Sequence, residues 1–311
     1  MKKAYAFVII TALLFGTMEV SCKIGGNDLD PFQLTFLRFL IGGLVLLPFA
    51  IGQMRKRGVR LTGKDILELT GVGVVGVAIS MSLFQISIMM CNASTVSVLI
   101  CVNPFFTMAF AHFMTTEKLN KEKLIILAVA MAGIVFMMRP WDIQAGNSLA
   151  GMLLMIVAAL FFGLYTVLGK VSQAKLGPMA QTSISFLLGA GVLLIMILLM
   201  GRPVLAGIAD NIPVVGYTGV LVTGVGYYCY FRAIELSDAG TGSFAFFLKP
   251  AIAPVIAVIV LHETIMWNTI CGIALVLAAS LMNILYQRRI ADQKASEKAR
   301  TDRQIKRQIN G

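Results

Sequence analysis

The chain reads as long apolar runs broken by short clusters of charge, glycine and proline. A helix needs about 20 apolar residues to cross a hydrocarbon core of roughly 30 Å. On that measure the runs predict ten membrane-spanning helices, over 4–24, 33–51, 67–89, 93–115, 122–139, 149–170, 179–200, 213–234, 239–261 and 267–286. Most connections are very short, and the longest is 52–66, so no soluble domain is inserted. The N-terminus imitates a signal peptide, with two lysines ahead of an apolar stretch. However, Glu19 stands where a lipoprotein cut before Cys22 needs an aliphatic residue, and further spans follow. The first run is therefore expected to be a retained helix.

Composition agrees with lipid as the solvent. Of 311 residues, 58% are hydrophobic and 13% charged, with mean hydropathy +0.85. Soluble domains carry about 45–50% apolar and about 25% charged residues. The net charge of +11 suggests nucleic acid only until the basic residues are placed. They sit in the short gaps and in the tail from Arg288 onward, a pattern suited to anionic cytoplasmic lipid. With the N-terminus inside, the outer ends hold only Lys23, Arg139 and Arg202, while Arg38 and Lys249 lie within spans. Every other Lys and Arg is inside, so the protein is expected in the cell membrane, multi-pass, with both termini cytoplasmic. Trp141 and Trp267 then fall at the outer interface, where indole is favoured. The five cysteines form no C-x-x-C pair and lie mostly in apolar runs, so they are expected to pack rather than bind metal or form disulfides.

An internal repeat carries more information than the runs. At a shift of 147, Ala12-Leu13-x-Phe15-Gly16 meets Ala159-Leu160-x-Phe162-Gly163, Lys23 meets Lys170, Pro31 meets Pro178, Thr35 meets Thr182, and Phe39-Leu40 meets Phe186-Leu187. At 146, Ile88 meets Ile234, Ala93 meets Ala239, Ser97 meets Ser243, Pro104 meets Pro250, and Glu117 meets Glu263. Chance apolar matching does not easily pair Pro, Gly, Lys and Glu at two shifts that differ by a single residue. Five helices per half is an odd number, so the second half must enter the membrane upside down. The expected fold class is an all-α polytopic membrane protein of ten transmembrane helices in a 5+5 inverted repeat. The first repeat is 1–139, the second 140–286, and a basic cytoplasmic tail covers 287–311. Secondary transporters use such repeats to rock two bundles about a site near the midplane.

The Phe15-Gly16 pair, Arg38-Phe39, and the run Ala93 through Pro104 to Glu117 with its copy Ala239 through Pro250 to Glu263 carry a resemblance. Together they resemble the drug/metabolite transporter superfamily, in its ten-helix EamA-type branch, over about residues 4–286. The resemblance implies this fold and a transport function. It implies a solute drawn from amino acids, amines, sugars, nucleotide precursors and other metabolites.

Ionisable groups inside spans each need a reason. Lys249 lies mid-helix beside Pro250, and its repeat mate is Asn103 beside Pro104. Proline frees a carbonyl one turn back and opens the helix. Lys249 and Asn103 are thus candidate substrate-binding residues, with Pro104 and Pro250 as helix breaks at the site. Glu19 faces the neutral mate Thr166. Burial favours the protonated form of a carboxylate, so Glu19 is a candidate for proton coupling or for binding an ammonium group. The bland alternative is a helical pair with Lys23 at i, i+4, and a third is direct pairing with Lys249. If Lys249 takes a carboxylate and Glu19 an amine, the solute is an amino acid or similar zwitterion.

Arg38 reads as mainly structural, and Glu117 and Glu263 as end-of-helix fixtures. Tyr227, Tyr228, Tyr230 and Phe231, with Phe244, Phe246 and Phe247, are aromatic clusters. Tyr228 and Phe246 are candidates to line a cavity and stack on solute. Gly71-x-Gly73-x-x-Gly76 spells a dinucleotide fingerprint but lies in an apolar span with no βαβ context.

A secondary transporter, proton-coupled or an exchanger, is the expected function. No Walker motif is present. His112 and His262 lie on opposite sides of the expected topology, and His262-Glu263 lacks the second His of a zinc motif, so no enzyme, cofactor or metal is expected. A lipid-linked carrier flippase or a membrane sensor is the alternative. The expected partners are a small-molecule solute, the bilayer and protons, with no nucleic acid, as a monomer or homodimer.

Overall fold

The computed structural model describes residues 2–114, 121–138, 145–236, 249 and 252–279, together with 281, 282, 285, 286 and 289. The helices of the bundle are α1 (Lys3–Gly26), α2 (Pro31–Arg57), α3 (Gly63–Met90), α4 (Ala93–Met114), α5 (Lys121–Met138), α6 (Leu149–Leu176), α7 (Pro178–Leu199), α8 (Ile208–Ala233), α9 (Ile252–Leu261) and α10 (Trp267–Ala279). Seven of them are long and apolar enough by themselves to cross a membrane. Among the described residues there is no strand. Among the described residues each apolar run is helical, and the architecture is the all-α polytopic 5+5 layout.

Helix ends follow the local sequence. Asp30 caps α2, its Oδ1 accepting from the N–H groups of Phe32 and Gln33, with Pro31 in the first turn. Gly58, at φ 65°, ends the same helix, in the left-handed region that glycine tolerates. Thr62 and Asp65 form a reciprocal capping box at the start of α3. Asp65 also receives Lys175 of α6 at 2.6 Å.

Several helices are irregular inside the bundle. α3 winds as a π-helix over Val74–Met81 and α8 over Tyr217–Val225. These are repeat-related helices, and wide turns of this kind recur at functional sites. In α4 a 3₁₀ turn covers Ile100–Val102. It begins where Pro104 cannot donate an N–H to the Ile100 carbonyl. α1 is interrupted at Thr17, whose hydroxyl bonds the Leu14 carbonyl at 2.8 Å and the Tyr217 hydroxyl at 2.6 Å.

Packing reproduces the sequence repeat. Phe39 of α2 and its mate Phe186 of α7 meet edge to face, ring centroids 4.6 Å apart. Two copies of one position can touch only near the axis relating the halves, so that axis runs between α2 and α7. Gly16 of α1 lies against Ile252 and Ala253 of α9, while its mate Gly163 of α6 lies against Phe106 and Thr107 of α4. At the 146 shift, Phe106 and Thr107 are the mates of Ile252 and Ala253. Each half therefore lends its first helix to the fourth helix of the other. Missing side chains at these glycines let the backbones approach closely.

Candidate solute-binding site

Glu19 and Lys249 come from opposite halves and meet inside the bundle. Lys249 Nζ lies 2.6 Å from Glu19 Oε1, with side chains 6% and 0% exposed. The contact is an ion pair without hydrogen-bond alignment, and neither Glu19 oxygen accepts a hydrogen bond among the described residues. Of the three partners open to Glu19 in the sequence, the structure shows Lys249. Lys23 turns away instead, donating to the Cys91 carbonyl at 2.7 Å and to Glu263 Oε1 at 3.4 Å. Breaking a buried pair of this kind costs about 3–5 kcal/mol, because it strands the remaining charge.

The surroundings come from α1, α2, α3, α4 and α8. Cys22, one turn past Glu19 on α1, is within electrostatic reach of Glu19, Lys249 and Arg38. Cys101, in the 3₁₀ turn of α4, is within reach of Glu19 and Lys249. Arg38 of α2 is 1% exposed. Its Nη1 donates to Cys22 Sγ at 3.1 Å, and its guanidinium carbon stands 4.7 Å from the Phe39 ring and 5.7 Å from the Phe84 ring. Gln85 of α3 donates to the Cys22 carbonyl at 2.9 Å. Tyr227 of α8 also lies within reach of Arg38. Its ring contacts Phe15 at 5.1 Å and Phe186 at 5.2 Å.

The other residues named from sequence are spread more widely. Asn103 is half-buried and directly follows the 3₁₀ turn, its carbonyl accepting from Thr107. Pro104 continues the same helix. Tyr228 is half-buried and stacks on Phe49, centroids 4.4 Å apart. Phe246, Pro250 and Glu117 lie outside the described residues, as does the tail apart from Arg289.

Glu263 acts at one end of the bundle. Its Oε1 accepts from the Ala93 N–H at 2.6 Å, and its Oε2 from the Ser94 N–H at 3.0 Å and hydroxyl at 2.7 Å. A carboxylate from the second half thus caps α4 of the first. His262, at φ 54°, supplies the left-handed turn that ends α9 and brings Glu263 round. That cap was visible in the sequence only as the repeated Glu.

No group of three or more His, Cys, Asp or Glu able to hold a metal occurs among the described residues. A bundle of inverted halves with an ion pair buried between them defines a class, the membrane transporters built on internal repeats. The chain belongs to the EamA-like transporter family, whose model matches it twice, over residues 2–139 and 149–285. An uncharacterized transporter of Clostridium kluyveri is 36% identical over 94% of this chain and 97% of its own length. The uncharacterized transporter YoaV of Bacillus subtilis is 25% identical over 91% and 97%. A solved protein structure aligns with TM-score 0.65 at 17% identity, over 93% of this chain and 99% of that one, and shows the shared fold. The protein is a multi-pass membrane transporter handling a small-molecule solute, and its family points away from enzymatic function.

Proposed function

We propose that the chain is a secondary transporter moving a small polar metabolite, an amino acid, amine or related compound, by alternating access. The observation that carries this reading is the buried Glu19–Lys249 pair, which joins the first helix of one half to the residues just before α9 of the other. Charges withdrawn from water at membrane depth are expensive and tend to mark solute or proton pathways. A solute acid competing for Lys249, or an ammonium group or proton competing for Glu19, breaks the tie between halves and lets them rock. Glu19 is then both a binding and a coupling residue, in proton-coupled transport or exchange. Asn103 and the helix breaks at Pro104 and Pro250 border the site, with Tyr228 and Phe246 as lining residues. The halves 1–139 and 140–286 are the moving bundles, both termini are cytoplasmic, and the tail 287–311 anchors on the inner leaflet.

Proteoliposome uptake tests this reading with a panel of amino acids, amines, nucleosides and organic acids. Protein-dependent flux of at least one solute is expected, lost in Glu19→Gln and in Lys249→Met. Flux unchanged in both variants refutes the site.

A further inference from the structure

We propose that Arg38 is a further anion-binding residue of the central site, beside Lys249, and that the solute carries a carboxylate; this rests on the transporter reading above and deepens it. Three charged side chains gather around Cys22. Glu19 and Lys249 offset one another, which leaves the guanidinium as a net positive charge at 1% exposure. A guanidinium keeps its charge in proteins, and an unpaired buried ion is costly. The fold offers it little in return. A thiol is a weak acceptor, and two phenyl faces attract a cation only modestly.

The pattern of unused donors is specific. Arg38 Nε and Nη2 have no hydrogen-bond partner among the described residues. These two nitrogens share the guanidinium edge whose N–H bonds run parallel, and that edge matches the two oxygens of a carboxylate. Nη1, on the other side, is the one turned to Cys22. A purely structural arginine at this depth spends its donors on helix carbonyls, and this one does not. Gln85 Oε1 is also buried without a donor, although its amide nitrogen is fixed on the Cys22 carbonyl. It offers an acceptor to a donor on the same solute. One small carboxylic acid would fill the open edge and neutralise the site together.

A thermal-shift titration of the purified full chain tests this, using L-amino acids and short mono- and dicarboxylates, each against its own carboxamide. Acids are expected to raise the melting temperature and amides not. Arg38→Lys keeps the charge but loses the parallel edge, and should raise the half-saturating concentration about tenfold or more, the worth of one charge-assisted hydrogen bond. Arg38→Met should abolish the shift without lowering the ligand-free melting temperature, because no partner is stranded. Where Arg38→Met fails to fold, Arg38→Lys decides. The proposal is overturned if no acid shifts the parent, if amides shift it equally, or if Arg38→Lys binds acids as the parent does. Proteoliposome uptake of the best acid separates the two readings. An acid held through Arg38 but never transported removes the transporter reading and leaves the Arg38 site. Uptake that survives Arg38→Met removes the Arg38 site and leaves the transporter.

Discussion

Two regions of this molecule descend from one repeat and have diverged in chemistry. In the first half, Glu19, Cys22 and Arg38 cluster with Gln85. At the equivalent positions of the second half stand Thr166, Gly169 and Ser185. That second region is polar, neutral and internally satisfied. Gln173 donates to Gln181 Oε1 at 3.0 Å, Gln181 Nε2 to the Ser185 hydroxyl at 3.3 Å, and Ser185 to the Thr182 carbonyl at 3.1 Å. The first region holds unsatisfied buried atoms on Glu19, Arg38 and Gln85. A hydrogen-bonded neutral network stabilises its helices by itself, whereas a buried charged group with open donors is a liability until something fills it. On the function proposed above, the second region packs the bundle and the first recognises solute.

The sharpest way to break the comparison is to remove the carboxylate. Glu19→Gln leaves Lys249 and Arg38 without an anion and should destabilise the protein by about 3–5 kcal/mol. Glu19→Leu combined with Lys249→Met should recover most of that loss. Thermal melting in detergent measures both, and equal melting of single and double variants contradicts the coupling. In the neutral region, Ser185→Ala strands one Gln181 donor and should cost about 1–3 kcal/mol. Uptake should persist there, so a loss of uptake comparable to that of Glu19→Gln erases the distinction.

A fully satisfied carboxylate supplies a control of lower stakes. Glu263→Ala removes the cap of α4 and should cost about 1–2 kcal/mol, with faster hydrogen exchange at the Ala93 and Ser94 amides. Unchanged exchange at those amides refutes the capping role. At the bottom of the scale, the exposed pair Lys64–Glu68, 4.0 Å apart, shows what surface charge is worth. Glu68→Gln should change stability by about 0.5 kcal/mol or less, and a larger shift in denaturant midpoint contradicts the ranking.

The fold was largely legible in the chain because lipid imposes a simple rule, about 20 apolar residues per span, and because the repeat fixed the relation between halves. Gly16 and Gly163 stood out in the chain only as repeat mates, and that each sits at a helix crossing emerged from the structure. The site was legible only in outline. Glu19 and Lys249 stood out as charges in apolar runs, yet spacing alone allowed Glu19 three partners. Choosing among them required knowing that α1 crosses against α9, a contact between residues more than 200 positions apart. The partners of Lys23 were hidden for the same reason, being a carbonyl at the end of α3 and a carboxylate beyond α9. Nor could the Arg38-Phe39 pair reveal which guanidinium edge would stay open, because that depends on the position of Cys22 one helix away.

The central claim is that a solute works through the charge pair joining the two halves. Its most direct test is uptake of a transported solute into proteoliposomes holding the parent, Glu19→Gln or Lys249→Met, at equal protein and verified folding. The account predicts initial rates lower by about a hundredfold in either variant, equivalent to about 2.7 kcal/mol. Rates within about twofold of the parent in both, a difference of about 0.4 kcal/mol, would contradict it.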